Sequence, residues 1–120
     1  MNYKKSLAAL AIAAFSMGAQ AQTEIQWWHS MGGALGEWVN DLAKDFNASQ
    51  KDYKIVPTFK GNYDESMAAA IAAYRAGNAP HILQVFEVGT ATMMASKGAI
   101  VPVGKVMQDA GLKFDQDAYV

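Results

Sequence analysis

Glu87 is the residue best placed to do chemistry in this chain of 120 residues. It follows the short apolar run of residues 81–86 and precedes Gly89 and a helical pattern. Such a run is typical of a strand buried in a parallel sheet, and open α/β sheets bind ligands where their strands end. An ionised carboxylate there accepts hydrogen bonds from a polyol or sugar and repels phosphate. The alternative is a solvated loop acid, or one facing the next helix N-terminus.

Aromatic residues follow two other predicted strands at comparable positions. Tyr63 leaves the loop after the second strand, where it is either a ligand contact or a surface residue. Trp27 and Trp28 point to opposite faces of the first strand, so one faces the helices and the other, with His29, approaches the crevice. The register decides which. We treat Trp28 and His29 as candidate cleft residues, with burial in the core as the alternative.

The sequence predicts no catalytic residue, metal site or cofactor. It contains no P-loop and no G-x-S-x-G elbow. His29, His81 and Glu87 do not match the spacing of a metal site. A secreted hydrolase lobe with Glu87 as acid or base remains an alternative, but it needs a second carboxylate. Asp64 and Glu65 are the nearest candidates, and both are better explained as first-turn helix acids.

Three strands and four helices are predicted to position these residues. The strands are residues 24–29, 53–59 and 81–86, and the helices begin near residues 34, 63, 90 and 103. The first helix is predicted to end at Phe46, and Pro57 indicates that the second strand lies at a sheet edge or ends in a distortion there. The fold class is therefore α/β with β-α-β-α-β-α order, and right-handed crossovers give a parallel or mixed sheet.

Two apolar stripes and one cap support the helices. Asn62 and Glu65 are spaced as a capping box for the second helix. The stripes of the first two helices recur at i, i+3, i+4 and i+7, which is the pattern of a helix that buries one face. Their members are Leu35, Trp38, Val39, Leu42 and Phe46 in the first helix, and Met67, Ala70, Ile71 and Tyr74 in the second.

Residues 1–21 have the pattern of a secretory signal peptide. Lys4 and Lys5 precede the apolar run of residues 7–17, and Ala19-Gln-Ala21 is a small-x-small cleavage site, so cleavage is predicted after Ala21. The apolar run is shorter than the roughly 20 residues of a membrane span. Cleavage changes the net charge from −1 to −3, which disfavours nucleic acid and anionic membranes as partners. The absence of cysteine suits a bacterial envelope protein.

Residues 22–120 are predicted to be an incomplete domain. They end on Phe114-Asp-Gln-Asp-Ala-Tyr-Val120 without a further strand or helix, which suggests a fragment of a longer protein. An envelope adhesin is a weaker alternative, because the pattern of buried parallel strands disfavours it.

Several of these motifs together carry a resemblance. They are Trp28-His-Ser-Met31, Tyr53-Lys-Ile-Val-Pro-Thr58, Lys60-Gly-Asn-Tyr63, Gly77-Asn-Ala-Pro80, Ile82-Leu-Gln-Val85 and the block from Glu87 to Ser96. The chain resembles the periplasmic solute-binding proteins of bacterial ABC transporters, and among them those for sn-glycerol 3-phosphate. The Tyr63 loop combined with the Glu87 block is the specific part of this resemblance.

The resemblance implies a non-enzymatic, periplasmic binding protein with two α/β lobes, of which residues 22–120 are an incomplete N-terminal lobe. It implies sn-glycerol 3-phosphate, and a wider range of glycerophosphodiesters, as ligand, with ABC permease subunits as partners and a monomeric state. Tyr63 and Glu87 occupy the positions of the family's ligand contacts. Phe86 replaces a tyrosine outside the contact set. The phosphate-binding residues are expected beyond Val120. A binding protein for a neutral sugar is the alternative within this class.

Overall fold

The computed structural model describes residues 21–118, and the predicted α/β order is confirmed. The predicted signal peptide lies outside these residues, apart from Ala21. The helices and strands are β1 (Thr23–His29), α1 (Gly33–Ser49), β2 (Tyr53–Phe59), α2 (Tyr63–Arg75), β3 (Ile82–Leu83), α3 (Thr90–Ala95) and α4 (Val103–Asp109). Single 3-10 turns cover Glu87–Gly89 and Gln116–Ala118.

The described strands form one parallel sheet with the order β2-β1-β3. The central strand β1 pairs through Trp28 with Thr58 of β2 and with Leu83 of β3. The chain crosses from β1 to β2 in one direction and from β2 to β3 in the other, so right-handed crossovers put α1 and α2 on opposite faces. The carboxyl ends of β1 and β3 therefore border a switch point, the place where doubly wound sheets bind ligands.

The prediction of a strand over residues 81–86 is wrong in length, because β3 covers only Ile82–Leu83. Side chains replace the backbone carbonyl groups that would extend the ladder. Gln26 N–H donates to Nδ1 of His81 at 3.0 Å, and Ser30 N–H donates to Oε1 of Gln84 at 2.9 Å. After Gln84 the chain turns toward Glu87. The apolar run keeps its position beside β1 but not a continuous strand geometry.

The prediction that Pro57 marks an edge is confirmed within the described sheet, where β2 is an outer strand. Lys60 N–H donates to the carbonyl oxygen of His29, so the alternate residues of β2 direct their backbone groups away from β1. Asn47 bonds both outward groups of Ile55, at 2.7 and 2.8 Å. Gln50 does the same for Tyr53, at 2.8 and 2.6 Å. Pro57 has no N–H to offer.

These bonds explain why α1 runs to Ser49 rather than ending at Phe46. The amide of Asn47 has to stand beside the outer side of β2, and the additional helical turn brings it there. Asparagine side chains often compete with a helix by bonding to nearby backbone groups. Asn47 does bond to backbone groups, but they belong to β2.

The two apolar stripes differ in burial from the prediction. In α1 the buried residues are Val39 and Ala43, whereas the other stripe members are 41–59% exposed, namely Leu35, Trp38, Leu42 and Phe46. In α2 Ser66 and Ala70 are buried, but Tyr74 is 47% exposed. Both helices form where the stripes predict them, but only some of the side chains in each stripe are buried against other residues of 21–118. No helix within these residues is both long and apolar enough to cross a membrane.

Candidate functional site

The loop from Lys60 to Asn62 fixes the start of α2, and with it Tyr63. Asn62 Oδ1 accepts from Glu65 N–H at 2.9 Å, and Glu65 Oε2 accepts from Asn62 N–H at 2.8 Å. This is the predicted capping box. Gly61 has a φ of +81°, and a Cβ on it would collide with the Glu65 carboxylate. The loop therefore requires glycine at this position, which places Tyr63 at the first position of the helix.

Tyr63 lies against Phe86, the residue immediately before Glu87. The two rings stack with centroids 5.1 Å apart and planes inclined by 25°. Tyr63 remains 37% exposed, and Glu87 is exposed at the start of its 3-10 turn. The structure thus brings the two predicted ligand contacts, which are 24 residues apart in sequence, to one edge of the sheet.

Gly89 allows this segment to pack closely against α2. It is buried, and a Cβ there would lie 3.0 Å from the Phe86 ring, 3.1 Å from Met67 Sδ and 3.2 Å from Val85. Contacts this short would force at least one neighbour to move. Glycine at position 89 therefore helps hold the Phe86 ring in place against Tyr63.

Trp28 and His29 separate at the end of β1. The Nζ atom of Lys60 lies over the Trp28 ring, 4.0 Å from its centroid. His29 is only 3% exposed, with its ring 6.0 Å from that of Trp27 and 6.1 Å from that of Phe59. Trp27, not Trp28, shares a face with His29. A ligand contact by either Trp28 or His29 stays a prediction, and His29 has little surface to offer.

Burial lowers the pKa of His29 from its usual value of 6.5, because the charged imidazolium is poorly solvated in this position. The backbone N–H of Met31 points to Nδ1 at 3.3 Å. His29 thus favours the neutral form.

One of the two acids considered as a catalytic partner of Glu87 has a structural role in α2. The carboxylate of Glu65 is bonded to Asn62 N–H, as a first-turn acid of the helix. Among residues 21–118, no group of three or more His, Cys, Asp or Glu side chains could hold a metal ion. A cavity of about 840 Å³ lies between α2, β3 and the segment that includes α4, and neither Tyr63 nor Glu87 is part of its lining. Its lining is mostly apolar, for example Ile71, Ile82 and Val106, and suits packing rather than a hydroxyl-rich ligand.

Comparison with known proteins identifies close relatives. The chain is 60% identical over 117 residues to the sn-glycerol-3-phosphate-binding periplasmic protein UgpB of Pectobacterium atrosepticum, and 59% identical over 117 residues to that of Yersinia enterocolitica. It is 57% identical over 120 residues to the protein of the same name from Escherichia coli K12. These matches cover 98–100% of the chain. The predicted resemblance is confirmed.

The chain spans about a quarter of the length of these homologues, 26–27%. No family model matches it. The homologues are named periplasmic proteins, which supports a periplasmic location for this chain and agrees with the predicted signal peptide.

The sequence does not predict two contacts of the candidate residues. They are the stack of Tyr63 on Phe86 and the position of the Lys60 ammonium over the Trp28 ring. The available signal was position, since Phe86 precedes Glu87 and Lys60 stands three residues before Tyr63. Neither spacing predicts a ring contact without the parallel register of the sheet.

Proposed function

We propose that this chain is part of the substrate-binding component of an ABC importer, and that it contributes Tyr63 and Glu87 to a site for sn-glycerol 3-phosphate. The ligand range extends to glycerophosphodiesters. The observation that carries the proposal is the stacking of Tyr63 on the residue before Glu87, at the carboxyl edge of a parallel sheet. The names of the homologues, which are sn-glycerol-3-phosphate-binding proteins, support the choice of ligand.

In this proposal the two side chains hold the glycerol end of the ligand. Glu87 accepts hydrogen bonds from hydroxyl groups, and bonds to an ionised carboxylate are short and strong. The Tyr63 hydroxyl can donate or accept, while its ring is held on Phe86. The carboxylate of Glu87 repels a phosphate, so the phosphate lies away from Glu87, toward hydrogen-bond donors of the protein.

The same proposal covers the role of the whole protein in transport. Residues 22–120 belong to an N-terminal lobe, and a second lobe closes over the ligand. The protein acts as a monomer that delivers its ligand to permease subunits in the inner membrane, and it performs no catalysis.

Isothermal titration of the full-length gene product tests this function. We expect binding of glycerol 3-phosphate and none of maltose. Glu87→Gln should weaken binding about 10- to 100-fold, which is the usual contribution of a hydrogen bond to a charged group. Glu37→Gln, an exposed acid on α1, is the matched control and should leave binding unchanged. Failure to bind glycerol 3-phosphate would refute the proposal, and preference for maltose would favour a neutral-sugar protein.

A further inference from the structure

Lys60 differs from the other basic residues of residues 21–118 in its surroundings. It is half-buried, whereas the other lysines and Arg75 are exposed. Its Nζ atom lies 4.0 Å from the centroid of the Trp28 ring, and its backbone N–H donates to the carbonyl oxygen of His29 at 2.9 Å. Both contacts hold Lys60 at the end of β1. An ammonium that is partly removed from water interacts more strongly with an anion than an exposed one does.

The described carboxylates leave this charge without an ion pair. Lys54 pairs with Glu24, and Lys105 pairs with Asp109, but Lys60 takes part in neither bridge. The nearest acids in sequence are Asp64 and Glu65; neither forms an ion pair with Lys60, and Glu65 bonds to backbone within the capping box. The ammonium of Lys60 is thus available to a negatively charged group from outside the described residues.

Lys60 borders the same edge as the proposed ligand contacts. It stands three residues before Tyr63 and on the ring of Trp28. The carbonyl oxygen of Trp28 accepts from Gln84 N–H at 2.9 Å. Two residues after Gln84 comes Phe86, which stacks on Tyr63. Lys60 is therefore linked on both sides to the segments that present Tyr63 and Glu87.

We propose that Lys60 binds the anionic group of the ligand, while Glu87 binds its hydroxyl groups. This inference rests on the proposed function and adds a phosphate contact within this chain. The two charges have opposite preferences, because the carboxylate repels a phosphate ester and the ammonium attracts it. A ligand with a hydroxyl-bearing end and an anionic end is thereby oriented in one direction.

Titration of the full-length gene product and its Lys60→Gln variant tests this assignment. We expect Lys60→Gln to weaken binding of glycerol 3-phosphate about tenfold, which is about 1.4 kcal/mol. Lys60→Arg, which keeps the charge, should restore most of the affinity. Lys54→Gln is the matched control, since it removes an exposed lysine from β2, and it should leave binding unchanged.

Two ligands of different charge separate a charge contact from a structural role. A phosphate monoester carries a charge near −2 at neutral pH, and a glycerophosphodiester carries −1. Loss of the Lys60 charge should therefore weaken the monoester more than the diester and should reduce the salt dependence of monoester binding. Equal losses for both ligands, together with a lower melting temperature, would overturn the proposal in favour of a structural role on Trp28. Unchanged binding by Lys60→Gln would also overturn it. Absence of binding by the unaltered protein would instead refute the proposed function.

Discussion

Replacing Gly61 by alanine tests how the loop before Tyr63 is held. Gly61 has a φ of +81°, which costs a residue with a Cβ roughly 1–2 kcal/mol. The new methyl group would also collide with Glu65 Oε2 and lie 3.0 Å from Glu65 Cδ. The carboxylate must then move, and Asn62 N–H loses its acceptor at a cost of about 1 kcal/mol. We expect Gly61→Ala to lower the free energy of unfolding by about 2–3 kcal/mol.

Gly77 provides a matched control because it has nearly the same backbone conformation. Its φ is +77°, but no described atom lies within 4 Å of the position of its Cβ. Gly77→Ala should therefore cost only the backbone part, roughly 1–2 kcal/mol. Combining Gly61→Ala with Glu65→Ala removes the collision, so the two substitutions should couple by about 1 kcal/mol.

Urea unfolding of the full-length gene product and these variants, followed by circular dichroism, measures the loss in each glycine variant and the coupling between Gly61→Ala and Glu65→Ala. The slopes of the unfolding transitions must agree before the free energies are compared. Equal losses for Gly61→Ala and Gly77→Ala, with no coupling to Glu65→Ala, would refute the close approach of the Glu65 carboxylate to Gly61.

Three further perturbations address the stacked pair, the buried histidine and the edge of the sheet. Phe86→Ala should weaken glycerol 3-phosphate binding about 3- to 10-fold in isothermal titration, because a stacked aromatic pair contributes roughly 0.5–1.5 kcal/mol and here holds Tyr63. Phe86→Tyr keeps the ring and should bind normally. Between the lowered pKa of folded His29 and 6.5, the unfolded chain binds a proton that the folded protein does not, so the free energy of unfolding should fall as the pH falls through this window. Urea midpoints from about pH 5 to 8 measure this slope, which His29→Gln should reduce. Asn47→Ala should lower the free energy of unfolding by about 1–2 kcal/mol through loss of both bonds to Ile55, and Asn47→Asp, which keeps the acceptor, by less.

Each of these expectations has an outcome that contradicts it. Normal binding by Phe86→Ala would show that Tyr63 does not depend on the stack. A pH slope that persists in His29→Gln would assign the acid sensitivity to other groups. Equal losses for the alanine and aspartate variants of Asn47 would show that its bond to the Ile55 carbonyl group, and not the one to Ile55 N–H, is the stabilising one.

Local signals in the sequence predicted the order of the elements well. The capping box at Asn62 and the edge position of the strand containing Pro57 both follow from backbone chemistry within a few residues, and both are present. The extent of β3 could not be predicted in this way. Its ladder is continued by the side chains of His81 and Gln84, whose partners are 55 and 54 residues away in sequence.

The surroundings of the candidate site residues likewise depend on contacts between segments that are distant in sequence. The carboxyl edge of a parallel sheet identified the region of Tyr63 and Glu87, and resemblance supplied their role. The partners of these residues depend on the register of neighbouring strands, so the stack on Phe86 and the position of Lys60 over Trp28 required the fold. The apolar stripe of α1 shows another limit of sequence prediction. Periodicity predicts that this face is buried but does not say which part of the protein packs against it. Trp38 remains 59% exposed among the described residues.

The outer side of β2 has a consequence for association between chains. An edge strand with unpaired N–H and C=O groups is a template for adding a foreign strand, which is how many proteins aggregate. Asn47 and Gln50 already occupy the outward groups of Ile55 and Tyr53, and Pro57 cannot donate there. A second chain approaching this side would first have to displace two side-chain amides. Asn47 and Gln50 thereby make the outer side of β2 a poorer template for intermolecular strand pairing.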